Sequence, residues 1–329
     1  MDSMGRKDIL DYLGDDWIRT GELMRSSLDS DIELLNWTNA YVLSHSGKQL
    51  RPMLSLLMAR ACSDGPLPED SIRYAAATEL LHNATLLHDD VADGSMIRRG
   101  VPTVASLLDP THSVLVGDFW LVKAVNLILE ADRNDMEVIR LFSNTLNFLA
   151  EGEMFQLQKA SSGDTSEDDY LRIIHDKTGS LFETACLSAA ISVGAPPEYR
   201  IVAVEYARNL GLAFQIKDDI LDFTGVDIGK PVGVDVREGK ITQPLLCALD
   251  QVDTDRQAEI RGKVRQVREH PEYAAEIMDF VREQDGARLA QERLSAYSVR
   301  AMESLSPLPD SPAKDYLAAL AALSEIREK

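Results

Sequence analysis

The stretch SIRYAAATELLHNATLLHDDVAD, residues 71–93, decides the fold. From Ser71 to His88 apolar residues recur at spacings of three and four, the pattern of a helix. It runs into Asp89-Asp90-Val91-Ala92-Asp93, whose first and last aspartates are i and i+4 and therefore share a helix face. A second stretch, Tyr206 to Phe223 (YARNLGLAFQIKDDILDF), has the same form and ends in Asp218-Asp219-Ile220-Leu221-Asp222. Outward from these two, almost every long segment keeps the helical spacing. Alternating Val/Ile/Thr runs and Asn-Gly hairpin turns are missing, so the chain is predicted to be all-α.

Breakers fall between the periodic segments: CSDGPLPED (62–70), DRND (132–135), ASSGDTSEDD (160–169), GAPPE (194–198), TGVDIGKPVGVDVR (224–237) and SPLPDSP (306–312). None is a long linker, and no repeat of fixed period is visible. Residues 1–329 are therefore expected to form a single bundle of roughly ten or more helices. A boundary near Asp250 is the alternative.

Composition limits the partners. With 54 acidic against 34 basic residues the net charge is −20, which disfavours nucleic acid and anionic membrane surfaces. An anionic substrate must then be captured locally, by metal ions or clustered cations. Cys62, Cys186 and Cys247 lie far apart in apolar surroundings and read as small core residues. The acidic start lacks an apolar secretory core, and Asp118, Lys123 and Glu183 interrupt the apolar runs before the ~18 uncharged residues of a span accumulate. A cytoplasmic protein without a transmembrane segment is expected.

Clustered carboxylates repel unless a cation intervenes. Acidic pairs are ordinary on solvated helix faces, but these two clusters sit in apolar sequence, where such a face is not expected. Oxygen-only ligands suit magnesium, which takes one or two carboxylates and completes its shell with water and phosphate oxygens. Cations that would meet phosphate concentrate in GKQLRP (47–52), at Arg98-Arg99-Gly100, in DKTG (176–179), and at Lys230 and Lys240. No HExxH, Walker A or GxGxxG motif points to zinc or nucleotide chemistry.

The order of these pieces resembles the trans-type polyprenyl diphosphate synthase family, the polyprenyl synthetases. The matching stretches are GKQLRP, ELLHNATLLHDDVADGSMIRRG, GDFWL, AEGEMFQLQ, HDKTGSLFETAC, GLAFQIKDDILDFTG, GKPVGVDVREGKITQPL and the terminal LAALAALSEIREK. The resemblance implies the isoprenoid (terpenoid) synthase type of helical bundle. It implies head-to-tail (1'-4) condensation of isopentenyl diphosphate with an allylic prenyl diphosphate to an all-trans polyprenyl diphosphate. It makes Asp89, Asp93 and Asp218 the principal magnesium ligands, with Asp90, Asp219 and Asp222 supporting the metal-bound water. Arg98, Lys177, Lys230 and Lys240 would contact the allylic diphosphate. Lys48, Arg51, His82 and Arg99 would hold isopentenyl diphosphate, and Thr178 and Gln215 would lie near the developing carbocation, where their oxygen dipoles favour positive charge. Without the resemblance His82 would read as a core histidine. A homodimer is implied; Gly117 to Ala131 is the candidate contact helix, although its apolar face equally suits intramolecular core, and the loop 225–239 carrying Lys230 is the candidate lid.

Product length should be set along the helix that precedes the first cluster, at about 5.4 Å per turn. By resemblance the gate is Ala84 and Thr85, both small, which points to a medium- to long-chain product. A short-chain (farnesyl or geranylgeranyl) synthase is the alternative, and Ala84 also suits plain helix packing. Among rivals, a cyclising terpene synthase is opposed by the second aspartate cluster and the GKQLRP and RRG segments. A non-catalytic partner subunit would have eroded aspartates, and a di-iron bundle requires Glu-x-x-His pairs. Gln49, Gly94-Ser95, Lys217 and Gln243 depart from the family pattern without removing an assigned ligand.

Overall fold

The computed structural model describes residues 5–132, 136–224 and 232–323. Helices account for nearly all regular structure among them, and the only strands there are the two-residue pair Ile97–Arg98 and Val101–Pro102. The all-α expectation holds. The chain divides into two compact units, one of residues 1–143, 183–204 and 307–317, the other of 144–182, 205–306 and 318–329. Asp250 falls inside the second.

The first unit is built around the helix Glu69–Ala92. Pro68 cannot donate to a preceding turn and fixes the entry, while Glu69 and Asp70 place negative charge on the positive end of the helix dipole. Buried residues cover the helix on all sides, Ile72, Tyr74, Ala76, Leu80, Leu81 and Leu87 among them, and a helix apolar all round belongs in a core. It packs on Asp15–Ser27, Leu50–Ala61 and most extensively on Pro110–Leu129. That last helix is capped by Asp109, whose carboxylate accepts from the His112 amide, and has Pro110 in its first turn. It is the one helix of the described residues long and apolar enough to cross a membrane, by length and composition alone. It carries Asp118 and Lys123.

The second unit buries Tyr170, Ile174, Leu212, Ile216, Leu245 and Phe280 in one cluster. Fully burying one such side chain contributes about 1.5–3 kcal/mol, so truncation at the wholly buried Ile216 is costly. Its helix Glu167–Ile174 starts on a capping box in which Ser166 and Asp169 satisfy each other's backbone amides. The three cysteines are buried, as expected, and burial pushes the Cys62 thiol up to about 12.

Candidate active site

In the first unit the aspartate motif occupies the last turn of Glu69–Ala92, with Asp93 as its C-terminal cap. Asp89 is half-buried and Asp93 exposed, whereas Asp90 is buried. Asp90 Oδ1 accepts from Arg98 Nε at 2.6 Å. Burial raises the Asp90 carboxyl above its ordinary range against the pull of that ion pair. Asp90 thus ties the following hairpin to the motif, and Asp89 and Asp93 are the pair that presents oxygens at i and i+4.

The hairpin sets the arginines. Ile97 pairs with Pro102 and Arg98 with Val101, which leaves Arg99-Gly100 as a two-residue turn. Both turn residues have positive φ, 53° and 79°, the geometry that matches strand twist and that glycine or asparagine normally supplies. A side chain as large as Arg99 adopts it at a cost of about 1–2 kcal/mol. Its guanidinium is then held from the other side: Nη1 donates to the His45 carbonyl at 2.9 Å, and a Cβ on Gly47 would stand 2.6 Å from its Cζ. The glycine of GKQLRP is therefore the space Arg99 occupies. Arg51, in that same segment, lies in the first turn of Leu50–Ala61. His82 sits two turns before Asp89 on the same helix. Burial, and then the charges of Arg51, Arg99 and Arg98, hold its imidazole well below the ordinary histidine range. Ala84 is buried, and a Cβ on Gly117 would stand 3.2 Å from its carbonyl oxygen, so it lies where two helices touch closely. Thr85 is half-buried, its hydroxyl donating to the His82 carbonyl at 2.8 Å. His88 bonds to Asp118 at 3.2 Å.

In the second unit the segment His175–Gly179 forms a π-helical turn, a bulge often found at functional positions. Two glycines admit it. A Cβ on Gly152 would meet Asp176 Cβ at 2.7 Å, and one on Gly211 would meet Gly179 Cα at 2.9 Å. Because Gly211 is one turn before Gln215, this approach brings Thr178 Oγ1 within 2.9 Å of Gln215 Oε1, to which it donates. Gln215 Nε2 donates in turn to Asp219 Oδ1 at 3.0 Å, and Tyr170 Oη donates to Asp219 Oδ2 at 2.6 Å. Asp219 is buried with both oxygens engaged; burial, and then Asp235, push its carboxyl up to about 7. Asp222 accepts from the Val234 and Asp235 amides at 3.0 and 3.1 Å, clamping the start of the helix Val234–Arg237. Asp218, by contrast, is exposed.

Lys177 pairs with Glu153, and Lys240 with Glu238 at 2.6 Å and Asp235 at 3.6 Å. Tyr170, Lys177, Gln215, Asp219, Asp235 and Lys240 share the wall of a cavity of about 150 Å³. Residues 225–231 of the expected lid, Lys230 among them, fall outside the described residues. Gln49 begins Leu50–Ala61 in the left-handed conformation, φ 49°, and Gln243 is buried, its amide donating to Cys247 Sγ at 3.4 Å. Glu79, Glu153, Tyr170 and Asp235 were not singled out by sequence reasoning. Tyr170 has the same spacing as Ile173 and Ile174 and reads as core.

The donor set fits magnesium. Among the described residues no three His, Cys, Asp or Glu side chains converge as a ready-made metal cage. An ion that uses one or two carboxylates and draws its remaining oxygens from water and phosphate needs none, whereas structural zinc would require a closed set of nitrogen and sulfur ligands.

Residues 32–281 match the polyprenyl synthetase family. The chain is 36% identical to the all-trans-nonaprenyl-diphosphate synthase (geranyl-diphosphate specific) of Rhodobacter capsulatus, covering 97% of each chain. It is 34% identical to octaprenyl diphosphate synthase of Escherichia coli (strain K12), over 99% of this chain and 100% of the relative. In three dimensions it is similar to a polyprenyl synthase from Caulobacter crescentus CB15 complexed with calcium and isoprenyl diphosphate, with TM-score 0.89, 30% identity and full coverage of both chains. The chain belongs to the polyprenyl synthetase family.

Proposed function

We propose that the protein is a trans-prenyltransferase that condenses isopentenyl diphosphate head to tail (1'-4) with an allylic prenyl diphosphate, giving an all-trans polyprenyl diphosphate of medium to long chain. The observation that carries this is the basic site of the first unit. In a chain of net charge −20, the arginines at 51, 98 and 99 act together on one neutral histidine beside the first aspartate motif, which is the electrostatic requirement of a diphosphate. The nonaprenyl and octaprenyl names of the relatives support the product class.

Magnesium, when bound, would neutralise charge on the departing diphosphate. Asp89, Asp93 and Asp218 are the residues proposed to hold it, with Asp90, Asp219 and Asp222 acting through the geometry they fix. Arg98, Lys177, Lys230 and Lys240 are assigned to the allylic diphosphate, and Lys48, Arg51, His82 and Arg99 to isopentenyl diphosphate. Thr178 and Gln215 present oxygen dipoles to the developing allylic cation. The double bond of isopentenyl diphosphate then attacks, and proton loss to the released diphosphate regenerates an allylic product that re-enters the cycle. No protein base is required.

The helix Pro110–Leu129 exposes Leu115, Val122 and Leu129 at 61%, 55% and 52%. These residues are seven apart and lie on one side, so a second copy of this chain is the proposed cover. We take this helix as a packing element of a cytoplasmic homodimer, not a membrane span. Ala84 and Thr85 remain the proposed gate on length. Asp89→Ala and Asp218→Ala should each lower turnover by orders of magnitude with the helical content unchanged; near-normal rates at saturating magnesium would defeat the metal assignment.

A further inference from the structure

Tyr170 carries a hydroxyl where the packing of the core does not require one. Its ring lies in the buried cluster with Ile174, Ile216 and Leu245 and is 2% exposed, and a phenylalanine there would pack without desolvating a hydroxyl. That hydroxyl begins a chain of hydrogen bonds. Tyr170 Oη donates to Asp219 Oδ2 at 2.6 Å, Gln215 Nε2 donates to Asp219 Oδ1 at 3.0 Å, and Thr178 Oγ1 donates to Gln215 Oε1 at 2.9 Å. The sense of the chain follows from its anionic member. A carboxylate only accepts, so Asp219 takes the amide nitrogen of Gln215, and the amide oxygen is left for Thr178. The single proton of the Thr178 hydroxyl is committed to that oxygen, and only lone pairs remain for a group that approaches. Asp219 is 3% and Thr178 9% exposed. Hydrogen bonds in series in such surroundings polarise one another.

We propose that Tyr170 is a positioning residue for the ionisation step: by holding Asp219 it fixes the amide of Gln215, and through that amide it keeps Thr178 Oγ1 a pure acceptor for the developing allylic cation. In that step the allylic carbon–oxygen bond breaks, its electron pair leaves on the diphosphate, and positive charge appears on carbon. A hydroxyl of the opposite sense would present hydrogen to that charge and oppose it. The inference rests on the assignment of Thr178 and Gln215 to the allylic cation.

The test uses Tyr170→Phe, Thr178→Val and the double variant of the full-length enzyme, at pH 8 and saturating magnesium. Two quantities are read: the KM of each substrate, and the single-turnover rate of the first condensation of farnesyl diphosphate with isopentenyl diphosphate, into which product release does not enter. Tyr170→Phe is expected to lower the single-turnover rate roughly tenfold, the scale of one hydrogen bond to a charged group, with both KM values moving less than about twofold. Thr178→Val should lower the rate at least as far. In the Thr178→Val background Tyr170→Phe should have almost no further effect, because an influence routed through Thr178 has nothing left to act on. Asp219→Asn, which removes the charge that fixes the Gln215 amide, provides a second cycle: its loss of rate should be smaller with Thr178→Val present than alone. If Thr178→Val slows the reaction but Tyr170→Phe leaves it unmoved, or if the losses multiply in both cycles, the positioning role is overturned and the assignment of Thr178 survives. If Thr178→Val itself leaves the rate unmoved, that assignment has failed. Should Tyr170→Phe not fold, the Asp219→Asn cycle decides, and equal losses in its two backgrounds would overturn the proposal.

Discussion

Removing the charge of Glu79 should make the ligand-free protein more stable, and by an amount that depends on pH. The carboxyl is raised from 4.5 to about 7 in the folded chain. A raised carboxyl binds a proton more tightly folded than unfolded, so its cost to stability is absent well below 4.5, grows as pH rises, and is complete above about 7. At about 1.4 kcal/mol per pKa unit the full cost is ~3 kcal/mol. Glutamine cannot ionise and escapes it. Glu79→Gln should therefore gain ~3 kcal/mol at pH 8 but only ~1 kcal/mol at pH 5.5, a value that still lies above the isoelectric point of 4.7. For a chain of this size the gains correspond to about 5 °C and about 2 °C in Tm, measurable by scanning calorimetry without substrate. A gain equal at both pH values, or a loss at pH 8, would refute the reasoning.

Tyr170→Phe removes one of the two hydrogen bonds to the buried carboxylate of Asp219, which should cost about 1–3 kcal/mol of stability and raise the magnesium concentration needed for half-maximal rate; an unchanged magnesium titration would show that Asp219 does not act through its orientation. Ala84→Phe should shorten the product, read as chain length after dephosphorylation, and overpacking at a buried helix contact should cost about 1–3 kcal/mol. An unaltered product with the stability loss would leave Ala84 a packing residue and place the gate elsewhere.

The helices and the two aspartate motifs were legible in the sequence because both depend on spacings of three and four within one element. The cysteines were legible for a similar reason, each lying in apolar surroundings. What escaped depends on approach between elements. The hairpin at Ile97–Pro102 is too short to show alternation, and Arg99-Gly100 lacks the asparagine that usually announces its turn. Gly152 and Gly211 look like ordinary helix glycines until the π-helical turn packs against them. Tyr170 carries its polar atom at the end of an apolar-spaced ring. Glu79 sits within ELLHN, a strong helix-forming context in which its burial leaves no trace.

The central claim is the condensation itself. Purified protein incubated with isopentenyl diphosphate, farnesyl diphosphate and magnesium, followed by chain-length analysis of the dephosphorylated products, tests it most directly. The account predicts long linear all-trans prenols extended by several isoprene units. Absence of condensation with any allylic primer would contradict it.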